Sequence, residues 1–450
     1  MVHETKSNLI YKCLRPALLV CLITSVLVGL LISPFSSSLA TPESIANTET
    51  VEGRLAVFDD VWQTIHDRYY DPQFRGIDWD HQREVFRSQA ANASNGRELY
   101  VVLRRLVGTL NDVHTRVFGP EEKFDWWNPR FVSIGLTVRE IEGYPTVVQV
   151  EKGSGPDHAG IRPGDVIEKI DGAPALSLID QRFKKQPTAA IRPASRLRAF
   201  ATLFEGAPRT SVEILWRRKS GEVRGARFER EWRGRQLGLK VHRERGKYLV
   251  VAVDGFTPSI ALDFTRAMKR NLRGTRGVVL DLRSNGGGEA EAMADVASTF
   301  LGEGVSLGTF TDRWGMSFTI RTRAKSLLAH DMLTQTNLPL TVLIGERTSS
   351  AAEIFAAAVQ SAGRAKIIGA DTCGCVLAIR NQHALPDGGV LDVSELDYRT
   401  SQGVRLEETG IKPDIHVQVR RQDFYWNEDR ALQHALDILA SAPSAPLRKH

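Results

Sequence analysis

The run Gly277-Val278-Val279-Leu280-Asp281-Leu282-Arg283-Ser284-Asn285-Gly286-Gly287-Gly288 decides the fold. An aliphatic strand breaks into a glycine turn, and Met293, Val296, Ala297, Phe300 and Leu301 then follow at helical spacing. The same order recurs downstream. Leu340 to Ile344 read as a strand, Glu346-Arg347-Thr348-Ser349-Ser350 as a polar turn, and Ala351 to Ser361 as a helix, after which Ala365 to Ile368 extend again. With Tyr248 to Val253 upstream, this alternation implies a largely parallel sheet with crossover helices, whose sites lie at the carboxyl ends of the strands. Both polar turns occupy such ends.

Outward from this α/β core, which spans residues 233–420, the pattern changes. Residues 131–232 carry short β-branched runs between Gly and Pro, such as Thr146-Val147-Val148-Gln149-Val150 and Ser211-Val212-Glu213-Ile214-Leu215, and read as a compact β-rich module. Residues 53–130 read as a helical subdomain. Phe58, Val61, Trp62, Ile65 and Tyr69 share one helical face, and Leu99, Val102, Leu103, Leu106 and Leu110 share another. Asp71-Pro72 stops the first helix, and Ser94 or Asn95 caps the second. Residues 41–52 read as a polar linker and residues 421–450 as a C-terminal helix and tail. The fold class expected is therefore multidomain α/β.

At the amino terminus Lys6, Lys12 and Arg15 precede an uncharged run, Ala17 to Ser33, and then Ser36-Ser37-Ser38-Leu39-Ala40. Residues 1–40 read as an export signal, with Ser38 and Ala40 at the small-residue positions of a cleavage site before Thr41. The apolar run also approaches the roughly 17–25 residues that span a bilayer, so an uncleaved anchor over residues 17–33 is the alternative. Either reading puts the folded part outside the cytoplasm, in a periplasm or the surrounding medium.

The 450 residues carry 59 Lys plus Arg against 53 Asp plus Glu, a net charge of +6 with no like-charge block. Cleavage after Ala40 removes three basic residues and one acid, leaving +4. So small an excess argues against nucleic acid as the partner. Cysteine stands only at positions 13, 21, 373 and 375, with no zinc-ligand spacing and no His-Glu-x-x-His, so neither a metal nor another cofactor is expected. Cys373 and Cys375 are either free thiols or a bridged pair in an oxidising compartment.

Chemistry-bearing residues gather at the turns. Ser350 would sit at a helix amino terminus, although Ser350-x-x-Glu353 is equally a capping box. The amides of Asn285-Gly286-Gly287-Gly288 could bind an oxyanion or serve only as a flexible turn; no Gly-Lys-Ser/Thr follows, which disfavours a phosphate loop. His114, in Asn111-Asp112-Val113-His114-Thr115, is a base or a surface residue. Glu407, taken alone, is a solvated acid.

Taken together these motifs carry a resemblance. Asp281-Leu282-Arg283-x-Asn285-x-Gly287-Gly288, Ser349-Ser350-Ala351-Ala352-Glu353, Gly363-Arg364-Ala365, Leu385-Pro386-Asp387-Gly388 and Gly410-Ile411-Lys412-Pro413-Asp414 occur in the order of the tail-specific, carboxyl-terminal processing family of serine peptidases. The likeness runs from Gly53 to about Val419. Within it, Ala159-Gly160-Ile161-Arg162-Pro163-Gly164-Asp165-Val166-Ile167 resembles a PDZ domain. That likeness puts Ile134, Gly135 and Leu136 at the loop where such domains receive a peptide carboxylate while the tail adds a strand.

The resemblance implies Ser350 as nucleophile and the amides of Gly287 and Ala351 as oxyanion hole. One departure is serious. The Ser-Lys branch has its base 25 positions after the serine, and here Cys375 stands there. The tricorn-like branch uses a histidine and a glutamate, which His114 and Glu407 match. Ser350, His114 and Glu407 are therefore the expected constellation for amide hydrolysis through an acyl-enzyme on protein or peptide substrates. His383 rivals His114, Glu408 rivals Glu407, Cys375 is expected to be structural, and Lys366 begins a strand. The competing functions are an inactive peptide-binding scaffold and, with less support, a carrier of small hydrophobic ligands.

Overall fold

The computed structural model describes residues 46–122, 130–183, 193–234, 237–323 and 335–442. The segments read as a signal or anchor lie outside the described residues, among which no helix is long and apolar enough to cross a membrane.

Three helices open the described chain, Val51–Arg68, Trp79–Asn92 and Gly96–Gly108. Each begins on a side-chain cap: Thr50 accepts from Gly53 N, Asp78 from His81 N and Asn95 from Glu98 N. The first helix starts two residues before Gly53, inside the expected linker, because Thr50 supplies that cap. The middle helix was not expected. Its buried residues are Trp79, Phe86 and Ala90, too few to leave a helical period. Phe58, Val61 and Ile65 are fully buried, as are Leu99, Leu103 and Leu106 from the third helix.

A ribbon of Arg130–Ser133 paired antiparallel with Glu231–Gly234 opens and closes the β-rich module. Inside it Leu136–Ile141, Tyr144–Val150, Val166–Ile170, Ser211–Arg217 and Val223–Glu229 form an antiparallel sheet in chain order, with Leu136–Ile141 at one edge. Ile134, Val138, Val147, Ile167, Phe200 and Trp216 fill its core.

The core sheet runs Leu239–Glu244, Tyr248–Val253, Gly277–Asp281, Leu340–Ile344, Lys366–Gly369 and Ile415–His416. The first pair is antiparallel and the others parallel. Helices Pro258–Asn271, Ala290–Ser298 and Ala351–Ser361 cover one face, and Ala435, Leu436 and Leu439 of helix Arg430–Ser441 cover the other. Strands apolar along their whole length are what a sheet covered on both faces requires.

A second sheet, which the sequence did not reveal, joins this core to the helices. Val390–Arg399 pairs with Arg116–Phe118, Ser306–Asp312 and Ala378–Ala384, and Ser317–Arg321 adds beyond Ser306–Asp312.

Because Asp281 pairs with Leu343, the two polar turns emerge side by side. Buried Thr348 ties them, its hydroxyl donating to Leu282 O at 2.8 Å and accepting from Gly345 N at 3.0 Å. Thr348→Val keeps the shape and strands Gly345 N, while Leu282 O keeps the bond from Asn285 N at 3.0 Å, so chemical denaturation should show a loss of about 1–3 kcal/mol. A loss within a few tenths of wild type would mean that the tie contributes nothing.

Candidate active site

Ser350 opens the helix Ala351–Ser361 with φ 55° and ψ −126°, a conformation that costs a side-chain-bearing residue about 1–3 kcal/mol. Its surroundings hold it there. Ser350 N donates to Cys375 O at 2.8 Å and to Glu353 Oε2 at 3.0 Å. Half of the capping box forms, since Glu353 N donates to the Ser350 carbonyl at 2.9 Å and not to its hydroxyl, and Glu353 does more than cap. Its carboxylate is fully buried and accepts also from Thr372 Oγ1 at 2.5 Å, Gly374 N at 2.8 Å and Cys375 N at 3.0 Å. Burial pushes the Glu353 carboxyl up to about 7 against the opposite pull of these donors.

The glycine turn packs directly on Ser350. A Cβ on Gly287, whose φ is +96°, would lie 2.7 Å from Ser350 Cβ and 3.1 Å from Ala351 N. Ala351 N, first in its helix, has no intrahelical acceptor. Of the two amides expected to form the oxyanion hole, that of Gly287 has a partner in this conformation. Gly287 N donates to Asn285 Oδ1 at 2.8 Å, because that fully buried amide oxygen requires a donor and the turn supplies one two residues on.

Glu407 is corrected from a solvated acid to a buried one, 3% exposed. Its Oε2 accepts from Val376 N at 2.9 Å and Leu377 N at 3.4 Å. Glu408, with 44% of its side chain exposed, faces Arg75 instead. The segment Cys373–Leu377 thus bonds Ser350 and Glu353 on one side and Glu407 on the other. At the lysine position of the Ser-Lys branch stands Cys375, bridged to Cys373.

His114 comes from the opposite end of the chain. Its backbone N–H donates to Asp112 Oδ1 at 2.8 Å, Thr115 Oγ1 donates to Asp112 Oδ2, and Ser394 N donates to Thr115 Oγ1 at 3.1 Å, docking the loop on the second sheet. The buried Nδ1 of His114 has no hydrogen-bond partner. Burial, foremost, and Arg116 hold its pKa below 6.5, while Asp112, Glu407 and Asp392 pull upward. A neutral imidazole results at neutral pH. The rival His383 is engaged elsewhere, Nε2 at 3.0 Å from Glu395. Lys366 begins the strand Lys366–Gly369, where the sequence put it.

In the β-rich module the side chains of Ile134 and Leu136 are buried, and Gly135 N donates to Ser133 Oγ at 3.0 Å. Helix Pro193–Ala201 beside them reaches the histidine loop through Ser195 Oγ, 3.2 Å from Asn111 Oδ1. Among the described residues no group of three or more His, Cys, Asp or Glu is placed to hold a metal ion.

Residues 247–417 match peptidase family S41, and residues 52–108 match the tricorn protease C1 domain. The chain is 29% identical over 402 residues to the chloroplastic carboxyl-terminal-processing peptidase 2 of Arabidopsis thaliana, covering 84% of this chain and 72% of that one. It is 26% identical over 412 residues to a carboxyl-terminal-processing protease of Synechocystis sp., covering 89% of each. The chain is a serine-type peptidase. Its fold is shared with mature CPAF, at TM-score 0.64 and 15% identity over 86% of this chain and 96% of that one. It is shared also with the photosystem II D1 C-terminal processing protease, at TM-score 0.54 and 21% identity over 86% and 97%.

Sequence reasoning missed one residue that touches the candidate site. Arg75 lies in the turn Phe74–Gly76 with φ 60°, fixed by Asp71 Oδ2 accepting from Arg75 N at 2.8 Å. Its Nη1 is 3.7 Å from Glu407 Oε1 and its Nη2 pairs with Glu408. Asp71-Pro72 read only as a helix stop, and nothing in the sequence pointed a turn arginine at a glutamate more than three hundred residues away.

Glu353→Gln in this peptidase turns an NH2 group toward at least one buried amide, that of Gly374 when it takes the Oε1 side, and stability should fall by about 1–3 kcal/mol. A pH series of melts adds the sign. The folded protein binds the Glu353 proton more tightly than the unfolded chain does, so this group's contribution falls as pH rises from about 4.5 to about 7. Glu353→Gln should flatten that slope. A variant as stable as wild type, with the slope intact, would contradict the assignment.

Proposed function

We propose that the chain is an exported endopeptidase that hydrolyses peptide bonds through an acyl-enzyme on Ser350, with His114 as general base and Glu407 supporting it. One observation carries the reading. The segment Cys373–Leu377 hydrogen-bonds the Ser350 backbone and the Glu407 carboxylate at once, and the Glu407 charge reaches His114.

The chemistry follows from these groups. His114, neutral at rest, takes the Ser350 proton as the hydroxyl oxygen attacks the scissile carbonyl. The negative oxygen that forms is received by Ala351 N at the positive end of its helix, and Gly287 N joins when it exchanges Asn285 Oδ1 for that oxygen. The imidazolium returns its proton to the leaving amine, and water then repeats the sequence on the acyl-enzyme. Glu407 stabilises the imidazolium and orients the ring.

The β-rich module is read as a PDZ-like domain that binds substrate tails or gates access. A tail would add to the edge strand Leu136–Ile141 and end at Ile134, Gly135 and Leu136, releasing Gly135 N from Ser133. The bond between Ser195 and Asn111 supports gating, because it connects the module's helix to the loop that bears the base. The substrate class, proteins cut near their carboxyl ends, rests on the printed names of the relatives. Export, to a periplasm or the medium, rests on residues 1–40, with anchoring through 17–33 as the alternative.

Ser350→Ala should abolish both hydrolysis of an unfolded protein substrate and labelling by a fluorophosphonate. His114→Ala should cost about 10²–10⁴ in kcat/KM with an unchanged melting temperature. Labelling absent from folded wild type would favour the inactive scaffold. Gly287→Ala, which drives a methyl group into Ser350, should suppress labelling in a protein that still folds; normal labelling would remove Gly287 from the site. Since burial holds the His114 pKa below 6.5, the acid limb of kcat/KM should fall below pH 6.5. A limb at or above that value would contradict His114 as the base.

A further inference from the structure

We propose that Cys373–Cys375 is a thiol–disulfide exchange site, taken by a dithiol reductant, whose opening loosens the segment that positions Ser350 and Glu407 and so switches the peptidase down. Its effect on turnover rests on the catalytic reading above; the exchange site itself does not.

Five of the six polar backbone groups of the bridged tripeptide are committed to the site. Cys373 N donates to Thr348 O at 3.1 Å, Gly374 N and Cys375 N donate to Glu353, and Cys375 O accepts from Ser350 N. Gly374 O accepts from Glu408 N at 2.8 Å, and the next two amides bind Glu407. Gly374 has φ +66°, and a Cβ there would lie 2.8 Å from Glu408 C and 3.0 Å from Gly410 N. A short glycine-centred loop of this kind has high conformational freedom when open, and the bridge removes that freedom where the site's geometry is set. Closure holds the two Cα atoms 5.2 Å apart.

Access is unequal. Cys373 is partly exposed and Cys375 is 1% exposed, so an incoming thiolate attacks Cys373 Sγ. The S–S bond breaks, Cys375 leaves as thiolate and takes a proton, and a mixed disulfide joins the reductant to Cys373. The reductant's second thiolate then attacks its own sulfur in that bond and releases Cys373, which is protonated in turn. Two electrons and two protons pass to the protein, and the dithiol becomes a disulfide.

The test uses the full chain, oxidised or treated with dithiothreitol, with intact mass counting the hydrogens gained. Amide hydrogen exchange is followed across residues 372–378 and 406–411, and fluorophosphonate labelling of Ser350 is timed in parallel. Reduction of the folded protein should speed exchange in both segments and slow labelling by about 10–100-fold, the cost of displacing a catalytic group by about an ångström. Reoxidation with oxidised glutathione should restore both. The double variant Cys373→Ser, Cys375→Ser should label slowly with or without dithiothreitol, and the reversible wild-type experiment covers the case in which it fails to fold. A bridge that resists dithiothreitol until the protein unfolds overturns the proposal, as does a reduced protein with unchanged exchange. Faster exchange without labelling in either state keeps the exchange site and rejects the peptidase reading. Faster exchange with equal labelling in both states overturns the switch.

Discussion

A carboxylate withdrawn from water, that of Glu353, is the constraint on which the site depends. A buried charge of this kind costs several kcal/mol unless it is surrounded by donors, and here the donors are the site itself. Thr372, Gly374, Cys375 and Ser350 all converge on it. Satisfying Glu353 therefore fixes the segment after the strand Lys366–Gly369 against the amino terminus of the helix Ala351–Ser361. It also holds Ser350 in a backbone conformation that a serine does not choose on its own.

Everything else is attached to that knot. Its far edge, Val376 and Leu377, grips Glu407, which places a second carboxylate where its charge acts on His114. The histidine arrives through a sheet instead of through its own helix. Thr115 is bonded to Ser394, and Arg116 stands opposite Asp392 in register. In this conformation Nδ1 of His114 is unpartnered, Gly287 N is held by Asn285, and Glu407 faces Arg75. On the proposed mechanism, engaging a peptide consists of exchanging these bonds for catalytic ones.

What was legible in the sequence follows from how local each signal is. Strands such as Gly277–Asp281 and Leu340–Ile344 announce themselves because each is apolar along its length, and the cap Asn95 lies beside the helix it starts. Ser350 and Gly287 were legible as turns at strand ends. Their contact was not, because it depends on Asp281 pairing with Leu343. The helix Trp79–Asn92 was missed for lack of buried residues. The sheet around Val390–Arg399 was missed because its partners come from three separate stretches of chain. Glu407 and Glu408 could not be separated by sequence at all; burial of one and exposure of the other is a product of packing. The fate of Cys373 and Cys375 was left open for the same reason. Arg75 gave no signal, since its reach depends on a turn with positive φ.

The most direct test of the account is a crystal structure of the protein after inactivation by a peptidyl phosphonate. The account predicts phosphorus bonded to Ser350 Oγ, a phosphonyl oxygen received by Ala351 N and Gly287 N, and His114 turned with one ring nitrogen to the adduct and the other to Glu407. Phosphorus on another residue, or a fully formed adduct at Ser350 with His114 still directed away from it, would contradict the account.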